Sequence, residues 1–356
     1  EMATRPSFGQ HPDNTNAVDN PVGHRCPGQG GPVPRPSRDA ACLDALMHSG
    51  GAAEVAVLAA ASSRSAVRAC LAAGHLVSIG GGWVVSAGLG SRLREPPRSP
   101  AWHLLPEEWS AQWPELLVAR SAVAASRRAA LAGRCAALHR GWAVLVDPAS
   151  TELATPHGRK ARNLPAVLGP TILVRRRLAA EELAARVTSP VSTVLDCAAT
   201  LPFREALAIA DSALRAGAVS HGELEEAAAR RHASRAAVLC VVAAASGLAA
   251  NPFESALRAL LVGVEGASFT PQLSVPTSMG PARVDLGDGE LRIAVVAVTD
   301  LVAGCEQAFA RDIRRYNALV AQDWAVLRVS FRDLMTRPEV VRDQVQSVVW
   351  ARLSRR

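Results

Sequence analysis

Hydrophobic and polar positions fall into distinct regimes along the 356-residue chain. Residues 1–38 show no periodicity and are rich in Pro, Gly, Asn and Arg. Such a composition buries too little apolar surface to offset the entropy of ordering, so this stretch reads as a disordered tail. From residue 39 the spacing turns helical, over Ala41–His48, Ala52–Ala60 and Ser63–Ala73, with Ser62 or Ser63 placed to cap the third helix. Leu76–Ile79 and Trp83–Ser86 then flank the turn Gly80-Gly81-Gly82 as a hairpin. Three short helices followed by a hairpin predict a winged helix-turn-helix over residues 39–90.

Residues 91–248 predict an α-rich middle domain with a few strands. Trp102, Trp109 and Trp113 suit packing between domains. Ser121–Arg140 reads as one alanine-rich helix, and Trp142–Val146 and Thr171–Val174 as short apolar strands. The basic loop Thr155–Arg162 lies between those two strands. Helices follow at Thr193–Thr200, Arg204–Ala216 and Glu223–Arg231, the last opened by a Ser220/Glu223 capping box. Asp196, Glu205 and Asp211 decorate these helix faces without gathering into a site.

Residues 249–356 carry a different rhythm. Asn251-Pro252-Phe253-Glu254 opens a helix with Phe253, Leu257, Leu260, Leu261 and Val264 on its apolar side. Strands follow at Thr270–Val275, Arg283–Leu286 and Leu291–Val298, the last two joined through Gly287–Glu290 as a hairpin. A helix over Ala308–Ala321, a buried strand over Asp323–Val329 and a helix over Pro338–Leu353 complete the order α-β-β-β-α-β-α. The fold class expected for the whole chain is mixed, multidomain α/β.

Composition changes this picture in two respects. Net charge is +7 with a pI near 9.5, and Lys160 is the only lysine, so the positive charge is almost entirely arginine. Arginine forks suit phosphates and guanine edges, so the balance permits nucleic-acid binding. The seven cysteines include no CxxC pair, which predicts buried thiols, no zinc site and a reducing, cytoplasmic setting. His24 and Cys26 lack partner ligands at metal-binding spacing. No apolar run has the length of a membrane span, and the N-terminal residues, starting at Glu1, lack the order of a signal peptide.

Candidate chemistry lies at both ends. Arg64 and Arg68 stand four apart on one face of the third helix, where a winged helix would meet phosphates or base edges. In the C-terminal region, Arg311-Asp312-Ile313-Arg314-Arg315-Tyr316 leads into Trp324-Ala325-Val326-Leu327-Arg328. Together with Asn251–Ser255 and Arg283-Val284-Asp285, this segment resembles the very-short-patch-repair-related endonuclease domains of the PD-(D/E)xK superfamily. Residues 39–250 resemble the N-terminal region of actinobacterial proteins that join an abortive-infection antitoxin-like winged helix to such a domain.

That resemblance implies a restriction-endonuclease-like fold, with one or two Mg²⁺ ions held by a helix glutamate, a strand aspartate and a glutamate on the next strand. Glu254 matches the first ligand and Asp285 the second. The third falls on Val296, in a strand that is apolar from Ile293 to Val298 in every register. The motif lysine is missing as well. Glu254 has a plainer use, since Asn251 and Glu254 with Pro252 at the first helical position form a capping box.

The expectation is a DNA-associated protein that binds through Arg64, Arg68, Arg311, Arg314, Arg315 and Arg328 without cutting. It would hold no cofactor and act in regulation, with a toxin or other regulatory protein as a further partner and no membrane. Two alternatives stand. One is an active Mg²⁺-dependent endonuclease with Asp300 or Glu290 as relocated ligand. The other is a protein-interaction module without nucleic acid.

Overall fold

The structure is a computed structural model and describes residues 38–94, 114–157, 169–298 and 306–355. The tail through residue 37, Trp102, Trp109, Trp113, residues 158–162 of the basic loop, Asp300 and Cys305 lie outside the described residues. The described residues form a mixed α/β structure with three small sheets.

The first part runs α1 (Arg38–His48), β1 (Ala52–Glu54), α2 (Val55–Ala61), α3 (Arg64–Ala72), β2 (Leu76–Gly80), β3 (Trp83–Ser86) and α4 (Ala87–Arg94). Ser63 caps α3 by accepting the Ala66 amide at 3.1 Å. Ala52–Glu54, expected to be helical, instead pairs antiparallel with β3, from Ala52 opposite Val85 to Glu54 opposite Trp83. Pairing wins over alanine's helix propensity because it buries Ala52 and Ala53 and gives the sheet a third strand, in the order β1-β3-β2. Cys42, Leu46, Leu58, Val67, Cys70, Leu76 and Val84 fill the core beneath.

The middle part corrects two further expectations. The single helix over Ser121–Arg140 is split into α5 (Pro114–Arg127), β4 (Ala130–Leu131) and α6 (Gly133–His139). Arg128 takes a left-handed turn at φ 48°, and the buried Ala130 and Leu131 pair with Ala154 and Leu153 of β5 (Thr151–Thr155). Trp142–Val146 is not a strand. Trp142 and Val144 are buried among helices, Leu145 joins the core that holds Phe253 and Val295, and none of the three is in a strand. β5 pairs in parallel with β6 (Thr171–Arg175), giving a sheet of order β4-β5-β6.

Helices α7 (Ala180–Ala185), α8 (Pro190–Thr200), α9 (Phe203–Arg215), α10 (His221–Ala229) and α11 (Arg235–Ala244) follow. The Ser220/Glu223 capping box opens α10 as expected. Asp196, Glu205 and Asp211 do not merely decorate helix faces. Arg134 joins Glu152 at 3.0 Å to Glu205 at 2.6 Å, and Asp196 holds Arg176 at 2.6 Å and Arg231 at 3.0 Å.

The C-terminal part comprises α12 (Pro252–Leu261), β7 (Thr270–Val275), β8 (Ala282–Asp288), β9 (Ile293–Val298), α13 (Glu306–Val320), β10 (Ala325–Ser330), α14 (Phe331–Thr336) and α15 (Pro338–Leu353). The sheet order is β10-β9-β8-β7, antiparallel except that β10 runs parallel to β9. One face packs Leu286, Ile293 and Val295 against Phe253 and Leu257 of α12 and Val345 and Val349 of α15. The other packs Val284, Ala294 and Val296 against Leu319 of α13 and Trp324. The strand expected to be buried, β10, is an edge strand in which Val329 is buried and Arg328 exposed.

Asp211 of α9, wholly buried, is paired with Arg258 of α12. Arg258 also donates to the Ala244 carbonyl, and Asp211 accepts the Ser246 amide at 2.7 Å. Burial pushes the Asp211 carboxyl above its ordinary range, and the Arg258 charge pulls it partly back. Removing one partner strands a buried charge, whereas replacing both with apolar groups of similar volume does not. Arg258→Met is therefore expected to destabilise the fold by about 3–5 kcal/mol in urea unfolding. Combining it with Asp211→Leu should recover most of that loss. Strictly additive costs would refute the coupling.

Candidate functional site

The C-terminal site is built where α12, β7, β8 and β9 meet. Asn251 caps α12, accepting the Glu254 amide at 3.0 Å and donating its side-chain N–H to Glu254 Oε1 at 2.8 Å. Glu254, buried, also accepts the Ala250 amide at 2.9 Å and the Gln272 side-chain amide at 2.5 Å. Three donors thus occupy one carboxylate. The capping role expected of Glu254 is met, with the carboxylate closing on Ala250 N rather than on the Asn251 backbone.

Asp285 stands one step beyond the β8–β9 ladder, whose pairs are Leu286–Val295, Gly287–Ala294 and Asp288–Ile293. Its Oδ2 accepts the Ala297 amide at 2.8 Å, supplying the acceptor that a paired strand would have given. Gln272 stands close enough to this carboxylate to favour its charged form. The β7–β8 pairing passes from Pro271–Leu286 to Leu273–Val284, so Gln272 and Asp285 share the skipped step. Gln272 lies there in the left-handed region at φ 55°. A non-glycine residue in that region is strained, and strand irregularities of this kind re-aim a side chain. The amide of Gln272 is bonded to Glu254 and lies beside Asp285.

Glu254 and Asp285, named from the sequence, are thereby brought into one cluster. Burial pushes both carboxyls above their ordinary range. The Asp285 charge raises Glu254 further, while the Ala297 amide and the Arg315 charge hold Asp285 down. Val296 is only 3% exposed and belongs to the apolar layer under α13. Its partner across the parallel ladder is Arg328. Glu290 lies in the β8–β9 turn, roughly 10 Å or more along the strand from Asp285. Among the described residues no group of three His, Cys, Asp or Glu side chains is placed to hold a metal ion.

The arginines form two groups. Arg315 pairs with Asp312 at 3.3 Å and donates to the Tyr316 hydroxyl at 2.9 Å. The guanidiniums of Arg315 and Arg328 lie 4.9 and 5.3 Å from the Tyr316 ring centroid, a cation–π pair on the chain's one tyrosine. Arg311, Arg314 and Arg315 line a cavity of about 210 Å³ with the β7–β8 turn. Far along the chain, Arg64 and Arg68 are exposed on α3 and line a groove of about 790 Å³ with Trp83 and Arg128.

Sequence reasoning missed Gln272 and Arg128. No local signal marks a left-handed glutamine within a strand, and Arg128 reached its place only because the expected helix breaks there. Buried thiols were foreseen. Cys42, Cys70, Cys135 and Cys197 are buried and free, whereas Cys240 is exposed. Among the described residues no single helix is long and apolar enough to cross a membrane. No family model matches the chain, and no curated protein matches it.

Gln272→Leu removes the donor to Glu254 and is expected to cost about 1–3 kcal/mol of stability in urea unfolding. A second outcome concerns pH. The folded-state pKa of Asp285 lies above its unfolded value, so ionising Asp285 opposes folding. That cost builds as pH rises from the unfolded pKa, about 3.9, through the raised folded value, and is complete above it. Asp285→Asn keeps an acceptor for Ala297 but no longer titrates. Its stability relative to wild type should therefore be most favourable at neutral pH and decline as pH is lowered. A pH-independent difference between the two urea midpoints would contradict this.

Proposed function

We propose that this chain is a DNA-associated protein that binds without cutting. The N-terminal part is a winged-helix-like module that meets nucleic acid through α3, and the C-terminal part a restriction-endonuclease-like scaffold with lost metal chemistry. The observation that carries this reading is the closure of Glu254 on Ala250, Asn251 and Gln272 and of Asp285 on Ala297. A Mg²⁺ ion needs several oxygen ligands with lone pairs free to face it. Here the Glu254 oxygens are taken by three donors and one Asp285 oxygen by Ala297. Val296 adds no oxygen, and the Arg328 cation is its ladder neighbour. The residues present do not fit the metal centre that the resemblance implies, and no reaction step is derived through it.

The scaffold reading is supported by the order α-β-β-β-α-β with the last strand parallel to the third. The N-terminal reading is supported by the order α-β-α-α-β-β with a three-stranded sheet and two exposed arginines on the third helix. DNA association rests on Arg311 and Arg314, both exposed, beside Arg315 and Arg328 along the face of α13 and β10. Guanidiniums there would meet phosphates and release counterions. A regulatory, antitoxin-like role with a protein partner follows from the same reading.

Two measurements test it. Supercoiled plasmid incubated with Mg²⁺ or Mn²⁺ should stay intact with wild type and with Asp285→Ala. Metal-dependent nicking that Asp285→Ala abolishes would falsify the non-cleaving assignment. Binding to duplex DNA should weaken steeply with salt, and Arg311→Ala/Arg314→Ala should lower the slope of log K against log salt by roughly 2.

A further inference from the structure

We propose that the groove between α3 and the β2–β3 turn binds a single strand of nucleic acid, rather than presenting α3 to the major groove of a duplex. The inference deepens the nucleic-acid reading above and rests on it. Arg64 and Arg68 lie one helical turn apart, both exposed, and among the described residues neither has a hydrogen-bond or ion-pair partner. Arg128 is brought to the same groove from the end of α5 by its left-handed turn. Glu54 is the one acid in the lining, so three guanidiniums face a single carboxylate. Trp83, half-buried, adds an aromatic wall, with the Arg186 guanidinium 5.0 Å from its ring centroid.

The groove's shape selects the ligand. In the turn that follows β2, Gly81 has φ 59°, and a Cβ there would lie 2.2 Å from the Ser126 carbonyl oxygen. The turn is therefore seated on the end of α5, which ties it down where a wing would need to reach along a duplex. With Ala125 and Arg128 also in the lining, the arginine face of α3 is one wall of a cleft rather than a projecting ridge. A helix reads a major groove about 12 Å wide by entering it. A cleft of about 790 Å³ instead falls in the size range of sites that enclose small ligands, ~300–1,000 Å³, which suits a nucleotide or two of a flexible strand. Phosphates would meet Arg64, Arg68 and Arg128, and a base would pack on Trp83.

The test is fluorescence anisotropy of the full chain with labelled oligothymidylate of about 15 nucleotides, a length in the usual range for single-strand sites, against a duplex of equal length. Wild type should bind the single strand at least tenfold tighter. Arg64→Ala/Arg68→Ala and, separately, Arg128→Ala should each weaken it about tenfold. Each arginine removed should lower the salt slope by roughly 0.7, with circular dichroism unchanged in both variants and Tm unchanged in Arg64→Ala/Arg68→Ala. Tighter binding of the duplex would overturn the proposal. So would single-strand binding that ignores these variants but falls with Arg311→Ala/Arg314→Ala, which would leave the nucleic-acid reading standing. Wild type that binds neither probe would sink both.

Discussion

Two charges sealed inside a protein must be held together or the fold loses both, and Asp211 with Arg258 sets this condition here. Asp211 lies on α9 and Arg258 on α12, separated by 47 positions along the chain. The pair fixes the rotation of α12 about its axis, because Arg258 reaches Asp211 and the Ala244 carbonyl from one face only. One helical turn before Arg258, Glu254 is then committed to the sheet edge where Gln272 and Asp285 wait. Arg215, on the same helix as Asp211, binds the Ala249 carbonyl and pulls Glu254 toward its charged form. The geometry of the C-terminal cluster is thus set from the middle of the chain. Leu145 and Ala208 extend the same dependence into the apolar core shared with Phe253.

How much of this was legible follows from the range of each interaction. Caps were readable because their partners lie three residues apart, as Ser63 with Ala66, Ser220 with Glu223 and Asn251 with Glu254 show. The C-terminal succession of helices and strands was readable because turn residues and short apolar runs are local, except that α14 has no counterpart in it. Failures came where a distant partner outvoted local preference. Ala52–Glu54 and Ala130–Leu131 are strands because β3 and β5 claim them. Asp196, Glu205 and Asp211 carry no local sign of their ion pairs, because their arginines lie 20 to 71 positions away. That Val296 offers no oxygen is plain in the sequence, yet the amide that reaches Glu254 is not, since Gln272 acts through a backbone conformation.

Arginine content overstates the cationic surface. Arg120, Arg134, Arg176 and Arg258 are spent inward, on Cys135 and Pro148, on Glu152 and Glu205, on Glu182 and Asp196, and on Asp211. Inside, a guanidinium with five donors can satisfy several acceptors at once, which suits a chain with a single lysine. The formal charge of +7 is therefore less informative than which guanidiniums reach the surface.

The pairing of Arg328 with Val296 has a consequence for any acid placed there. A glutamate at position 296 would stand beside a guanidinium on the neighbouring strand, and an ion pair between them would form before any hydrated cation could be stripped of its waters. The register of two strands thus decides which chemistry a new side chain could enter: at 296 it is strand-to-strand charge pairing.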